Sequence, residues 1–215
     1  MQAGGAMADP PSLLLFITAG LLLNLAPGPD VLYIVGRSLS QGRAAGLVSA
    51  LGIAAGCLFH IAAAALGLAA LTVTLPLAYD VIRYAGAAYL VWLGIKALRS
   101  KSGALQVRTL APTPLWVIFR QAVITNVLNP KVALFFLAFL PQFTDARYGP
   151  LVPQFLVLGA IFIFNGLLVC SAYALAASRL GDWLKSRYDL STWLNRAMGG
   201  IFIALGLRLG LGVQR

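Results

Sequence analysis

Asn24-Leu25-Ala26-Pro27-Gly28-Pro29-Asp30 sets two prolines around a glycine, with an acid directly after them, inside an apolar run from Leu13 to Gly36. Each proline removes a backbone donor, and glycine between them adds freedom, so a helix running through this stretch breaks here. The carbonyls freed by such a break cannot face lipid. They must be buried in protein or line a wet cavity. A second interruption, Asn126-Val127-Leu128-Asn129-Pro130-Lys131, lies inside the run from Leu115 to Leu140. Asn129 is a good helix cap and Pro130 suits the first helical position, so a new half-helix is expected to start there.

That the solvent in question is lipid follows from composition. Of 215 residues, 60% are hydrophobic and 10% charged, and the mean hydropathy is +0.87, which excludes a soluble domain with a polar surface. A crossing takes roughly 20 helical residues, and six apolar runs are long enough: 13–36, 46–75, 81–98, 115–140, 151–178 and 194–213. They leave no room for a soluble domain, so 1–215 reads as one transmembrane unit. The first run is read as a retained span, because no basic region or small-residue cleavage site accompanies it. The net charge of +10 would suggest nucleic acid in a soluble chain, but here it fits cytoplasmic loops beside an anionic leaflet. Of the 16 basic residues, eleven fall at the loops after runs one, three and five, Arg37 and Arg43 among them, which puts those loops inside and both termini outside.

The two halves match. Arg83-x-x-Gly86 and Gly94-Ile95-Lys96 in run three correspond to Arg196-x-x-Gly199 and Gly206-Leu207-Arg208 in run six, while Asn24 and the Pro27 break correspond to Asn126 and the Pro130 break. Three spans per half turn the second half over. The expected fold is therefore all-α, six transmembrane helices in two inverted three-helix repeats, about 11–98 and 115–213, with helices one and four broken at Pro27, Gly28, Pro29 and at Pro130.

Matched broken helices point to a transporter binding site. Asp30 and Lys131 each follow a break directly, with opposite signs. Asp30 is favoured by the dipole of the half-helix it opens, whereas Lys131 is opposed by its own and needs an anion. That anion is either Asp30, in an ion pair between repeats, or the carboxylate of a substrate whose ammonium Asp30 takes. Asn24, Asn126, Asn129 and Asn165 supply neutral hydrogen-bonding groups, each equally suited to joining helices. His60 lies mid-span, and the reading favoured for it is a hydrogen bond across helices over a proton relay. Gly52 with Gly56, and Gly206 with Gly210, permit close helix approach, internal packing being the default and a dimer seam the alternative. No metal-ligand or cofactor pattern is visible, and Cys57 and Cys170 stand far apart in sequence.

The chain resembles the LysE/RhtB family of bacterial amino-acid exporters. The likeness covers nearly the whole chain and rests on the two interrupted stretches, on Ser40-Gln41-Gly42-Arg43-Ala44-Ala45-Gly46-Leu47, on Gly86-Ala87-Ala88-Tyr89-Leu90 with Trp92-Leu93-Gly94, and on Phe139-Leu140-Pro141-Gln142-Phe143. It implies export of amino acids across the bacterial cytoplasmic membrane, driven by protons, in a protein often proposed to be a homodimer, and no enzyme activity. One acid and one base in the membrane suit a zwitterion without further charge, so neutral amino acids such as threonine, homoserine or leucine are favoured. A transporter of metal or other small cations of the same architecture is the alternative, disfavoured for want of clustered ligands. An intramembrane thiol oxidoreductase using Cys57 and Cys170 is weaker still.

Overall fold

The computed structural model describes residues 10–68, 76–99 and 111–186, with single positions at 196, 200, 203, 204, 206, 207 and 211. Run six and its counterpart motif thus lie mostly outside the described residues. Everything described is helix or connecting turn. Helix α1 spans Pro10–Leu25, α2 Pro29–Ala63, α3 Pro76–Arg99, α4 Leu115–Val127, α5 Pro130–Leu134 and α6 Leu151–Ser186. A π-helical turn, Ala64–Leu68, extends α2, and α5 continues through a π-helical turn, Phe135–Phe139, into a 3₁₀ turn, Leu140–Phe143.

Both interruptions are present. The chain leaves helix geometry between Leu25 and Pro29, and again between Val127 and Pro130, where α4 and the segment Pro130–Phe143 are bent by 48°. In each case a proline opens the next helix, where its missing N–H costs nothing.

Helix α2 is a hairpin in all but name. Gly42 sits at φ 78°, ψ −172°, inside it. A side chain added at Gly46 would collide with the Ser38 hydroxyl and come within 3.1 Å of its Cβ. Eight residues along a continuous helix would lie about 12 Å apart, so the chain must reverse at Gly42. Ile34, Ala50 and Ile53 accordingly share one buried cluster. The two arms, 29–41 and 43–63, correspond to the end of the first expected span and to the second, with the turn where a loop was expected. Only a residue free of a Cβ takes that positive φ without strain.

Gly149, at φ 121°, is the other positive-φ residue among those described, and it too stands just before a long helix. Gln154, 5% exposed, fixes that turn by accepting from Asp145 N and donating to the carbonyls of Asp145 and Gly149. On its surface the Arg147 guanidinium donates to Asp145 and holds that carboxyl below the usual carboxylate range. The order break, helix, glycine turn, long helix therefore occurs twice.

Among the described residues, two helical stretches are long and apolar enough to cross a membrane, Pro29–Gly67 and Leu151–Arg179. The bent pair Leu115–Val127 with Pro130–Phe143 makes a third, and Leu13–Leu25 is apolar but shorter. Helix length therefore does not count six spans, since the first expected span is cut in two and Pro29–Gly67 contains a reversal. Helix α6 also runs on past the expected limit at Ser178 and takes Arg179 and Lys185 into the helix.

The arms of α2 pack against α4 and α6, and glycines make this close. A methyl at Gly52 would stand 2.6 Å from both Ala122 Cβ and Phe119 O, and one at Gly56 2.7 Å from Asn126 Cβ. This small-residue face is thus used inside the chain. Gly206 likewise meets Ala87 and Val91 of α3. A second cluster joins Phe16, Phe135, Phe136, Phe139, Phe143 and Phe162 ring to ring, at centroid spacings of 4.8 to 5.9 Å.

Candidate functional site

A helix that stops in mid-protein leaves its last carbonyls without partners. At the end of α1, Ala26 N bonds back to Leu22 O and Leu23 O. Lys131 Nζ then donates to Leu23 O and to Ala26 O, at 3.0 Å each, and the Tyr173 hydroxyl donates to Leu25 O at 2.9 Å. The cation from the second break therefore caps the first. This disposes of the conflict between Lys131 and its own half-helix, because its ammonium lies at the negative end of another. It also explains Gly28, whose φ of −165° any residue adopts. A Cβ there would meet Lys131 Nζ at 3.1 Å, so Gly28 is small to let the ammonium cross.

The opposite contact also runs between breaks. Asp30, in the first turn of α2, accepts from Asn126 Nδ2 at 2.8 Å, and Asn126 stands in the last turn of α4. The Asn126 carbonyl accepts from Asn129 N and from His60 Nε2 at 3.0 Å, so that ring nitrogen carries the proton. His60 is held flat against Phe136, with 17° between the rings. Asn129 caps α5 as expected, its Oδ1 accepting from Lys131 N.

Asp30 and Lys131, 6% and 8% exposed, do not pair with each other, the one ion pair among the described residues being Arg147 with Asp145. The ion-pair alternative is thus not the arrangement found. The two charges instead line one cavity of about 20 Å³ with Asn24, Asn126, Cys57 and Cys170, between the second arm of α2 and α6. That is room for a single water, not for an amino acid. Asp30 Oδ1 and Asn126 Oδ1 are buried acceptors without a partner, and Asn24 Nδ2, Asn129 Nδ2 and Asn165 Nδ2 are buried donors without one. Native structures rarely leave such groups unpaired unless something else binds them. His60, Asn129 and Asn165 stand outside the cavity lining. Both thiols are free and buried, and among the described residues no three of His, Cys, Asp and Glu gather as a metal site would need.

Two features escaped the sequence reading. Tyr173 was not singled out. Arg37 reads in the sequence as a loop charge, yet it is 5% exposed and hydrogen-bonded through all three nitrogens: Nε to Tyr33 Oη, Nη1 to Gln41 Oε1, Ala111 O and Thr113 Oγ1, and Nη2 to Gln121 Oε1 at 2.7 Å. Asp30, Tyr33, Arg37 and Gln41 recur at helical spacing on one face, which groups them but does not show what that face meets. The contact of Arg37 with 111–113 also sets those two connections on the same side of the molecule.

A family model described as LysE type translocator matches residues 21–212. A homoserine/homoserine lactone efflux protein of Salmonella typhimurium is 33% identical over 195 residues, 90% of this chain and 93% of that protein. An uncharacterized membrane protein of Vibrio cholerae is 32% identical, over 91% of this chain and 95% of its own length. A leucine efflux protein of Salmonella choleraesuis is 27% identical, over 90% and 92%. No solved structure matches.

Proposed function

The chain belongs to the LysE type translocator family, and from that premise we propose that it is a proton-driven exporter of amino acids with uncharged side chains in the bacterial cytoplasmic membrane. The observation that carries this reading is the polar cavity at the meeting of the two breaks. It offers unpaired acceptors, Asp30 Oδ1 and Asn126 Oδ1, which suit an ammonium, and donors, Asn24 Nδ2 and Lys131 Nζ, which suit a carboxylate. The remaining lining, Ala50, Ile53, Ala54, Ile163 and Leu167 among it, holds no further charge to match a basic or acidic side chain. The relatives named for homoserine and leucine efflux act on compounds of that kind.

In this mechanism six spans form two inverted repeats that rock about the cavity. The recurrent order of break, glycine turn and long helix supports that arrangement. Asp30 takes either the substrate ammonium or a proton, so inward proton flow drives the amino acid out. Lys131 leaves the α1 carbonyls to meet the substrate carboxylate, which ties occupancy to the state of the first break.

The test is a screen of amino acids and analogues for relief of growth inhibition on overexpression, followed by uptake of each relieving compound into inverted vesicles. Relief and pH-dependent uptake of an uncharged amino acid are expected. Transport confined to lysine or arginine, or to a metal cation, would overturn the substrate assignment.

A further inference from the structure

Arg37 is a buried cation whose acceptors, among the described residues, are all neutral: two side-chain amides, two hydroxyls and one backbone carbonyl. Each of these bonds is charged at the donor alone, so water, itself a neutral acceptor, can replace any one of them at less cost than it would a carboxylate. The network has a definite place. It joins the first arm of α2, through Tyr33, Arg37 and Gln41, to the segment Ala111–Thr113 and to α4, through Ile118 and Gln121. Asp30 and Asn126 join the same arm to the same helix deeper in, with Arg37 about 10 Å further along the arm. The seam between α2 and α4 is therefore laced at two levels, the inner one at the cavity and the outer one at Arg37. Gln121 at the outer level is exposed and so stands at the mouth of the seam.

We propose that the Arg37 network is the latch that shuts the cavity from the side carrying Gly42 and Ala111–Thr113. Closed, it clamps α2 to α4 across the seam. Released to water, it lets the seam part down to Asp30 and Asn126, and the cavity opens on that side. The inference rests on the transporter reading, but its test does not depend on which compound is carried. Cys57 and Cys170 are the chain's two cysteines, and both line the cavity. They report its accessibility directly.

The experiment reconstitutes the full chain in liposomes and adds a membrane-impermeant methanethiosulfonate reagent to one side at a time, following modification of the two thiols by mass. Gln121→Ala is expected to raise the rate from the latch side by about tenfold or more, the effect of one lost hydrogen bond to a charged group on a two-state opening, and Arg37→Gln, which removes every bond of the guanidinium, by at least as much. Gln121→Glu supplies Arg37 with an anion, and it should lower the rate below wild type and slow transport. Rates from the opposite side should not rise. The latch is overturned if Gln121→Ala and Gln121→Glu, both folded by thermal melting, leave latch-side modification at the wild-type rate, or if either variant changes both sides equally. If the latch holds while no amino acid is transported, the gate stands and the cargo assignment falls. Amino-acid transport with unaltered thiol access in every variant would sink the latch alone.

Discussion

At the scale of single residues, the proposed site is where polar atoms are buried without partners. Asp30 holds one bond, to Asn126, and keeps its second oxygen free. Asp30→Asn keeps the shape and removes the exchangeable charge, so we expect a protein that folds and still binds substrate weakly but no longer couples it to a pH gradient. Exchange measured in vesicles with and without an imposed gradient would show this, and gradient-driven exchange of wild-type rate in Asp30→Asn would contradict it. Lys131 would have a double task on the proposed mechanism, since its ammonium also caps α1. Gly28→Ala brings a methyl to 3.1 Å from that ammonium, which a flexible side chain accommodates by a few tenths of an ångström, whereas Gly28→Val cannot be accommodated without displacing it. Substrate affinity should fall severalfold in Gly28→Ala and by more than about tenfold in Gly28→Val, a loss on the order of one charged hydrogen bond. Equal affinity in both would mean that Lys131 does not touch the substrate.

At the scale of elements, the turn at Gly42 makes one long helix into two arms. Gly42→Ala forces a Cβ into a positive-φ, extended-ψ backbone that only glycine takes readily, at a cost of about 1–3 kcal/mol, with no collision to add because nothing lies within 4 Å. The melting temperature in detergent should fall modestly, and less than for Gly52→Ala, whose methyl would meet Ala122 and the Phe119 carbonyl at 2.6 Å. An unchanged melting temperature in Gly42→Ala would show that the arms are not set by the turn. Much of this level was legible. Proline marks both breaks because a missing donor is a chemical fact of the residue, and Asn129 caps α5 because its side chain reaches only its own neighbours. The partners of Lys131 and the burial of Arg37 were not legible. Both depend on contacts between residues 74 to 108 positions apart, which periodicity along one helix does not encode, and a lone arginine beside a glycine turn reads the same whether it faces water or a helix seam. The reversal at Gly42 was legible in place, as a connection between apolar runs, but not in form.

At the scale of the whole molecule, the cavity has unlike neighbours on its two flanks. Toward Gly42 stands the hydrogen-bonded seam of Arg37. From Phe162, which lines the cavity, a series of rings runs through Phe135 and Phe139 to Phe143, beside the turn that contains Gly149. In lipid, apolar groups gain nothing from mere aggregation, so such a cluster holds by close contact and keeps water out by leaving it no room. A coupled exporter must never open to both sides at once, and on the proposed mechanism the Arg37 side would yield to water while the ring side would have to be pulled apart. Phe139→Ala removes a ring that spans Phe135 at 5.0 Å and Phe143 at 4.8 Å, and it leaves a gap in the series. The expected result is a leak: proteoliposomes holding Phe139→Ala should dissipate an imposed pH gradient without substrate, while those holding the wild type keep it. Uphill transport should weaken in proportion, because protons that cross without cargo do no work on it. A variant that keeps the gradient and transports normally would show that these rings are ordinary helix packing, and that the closure on that side is made elsewhere.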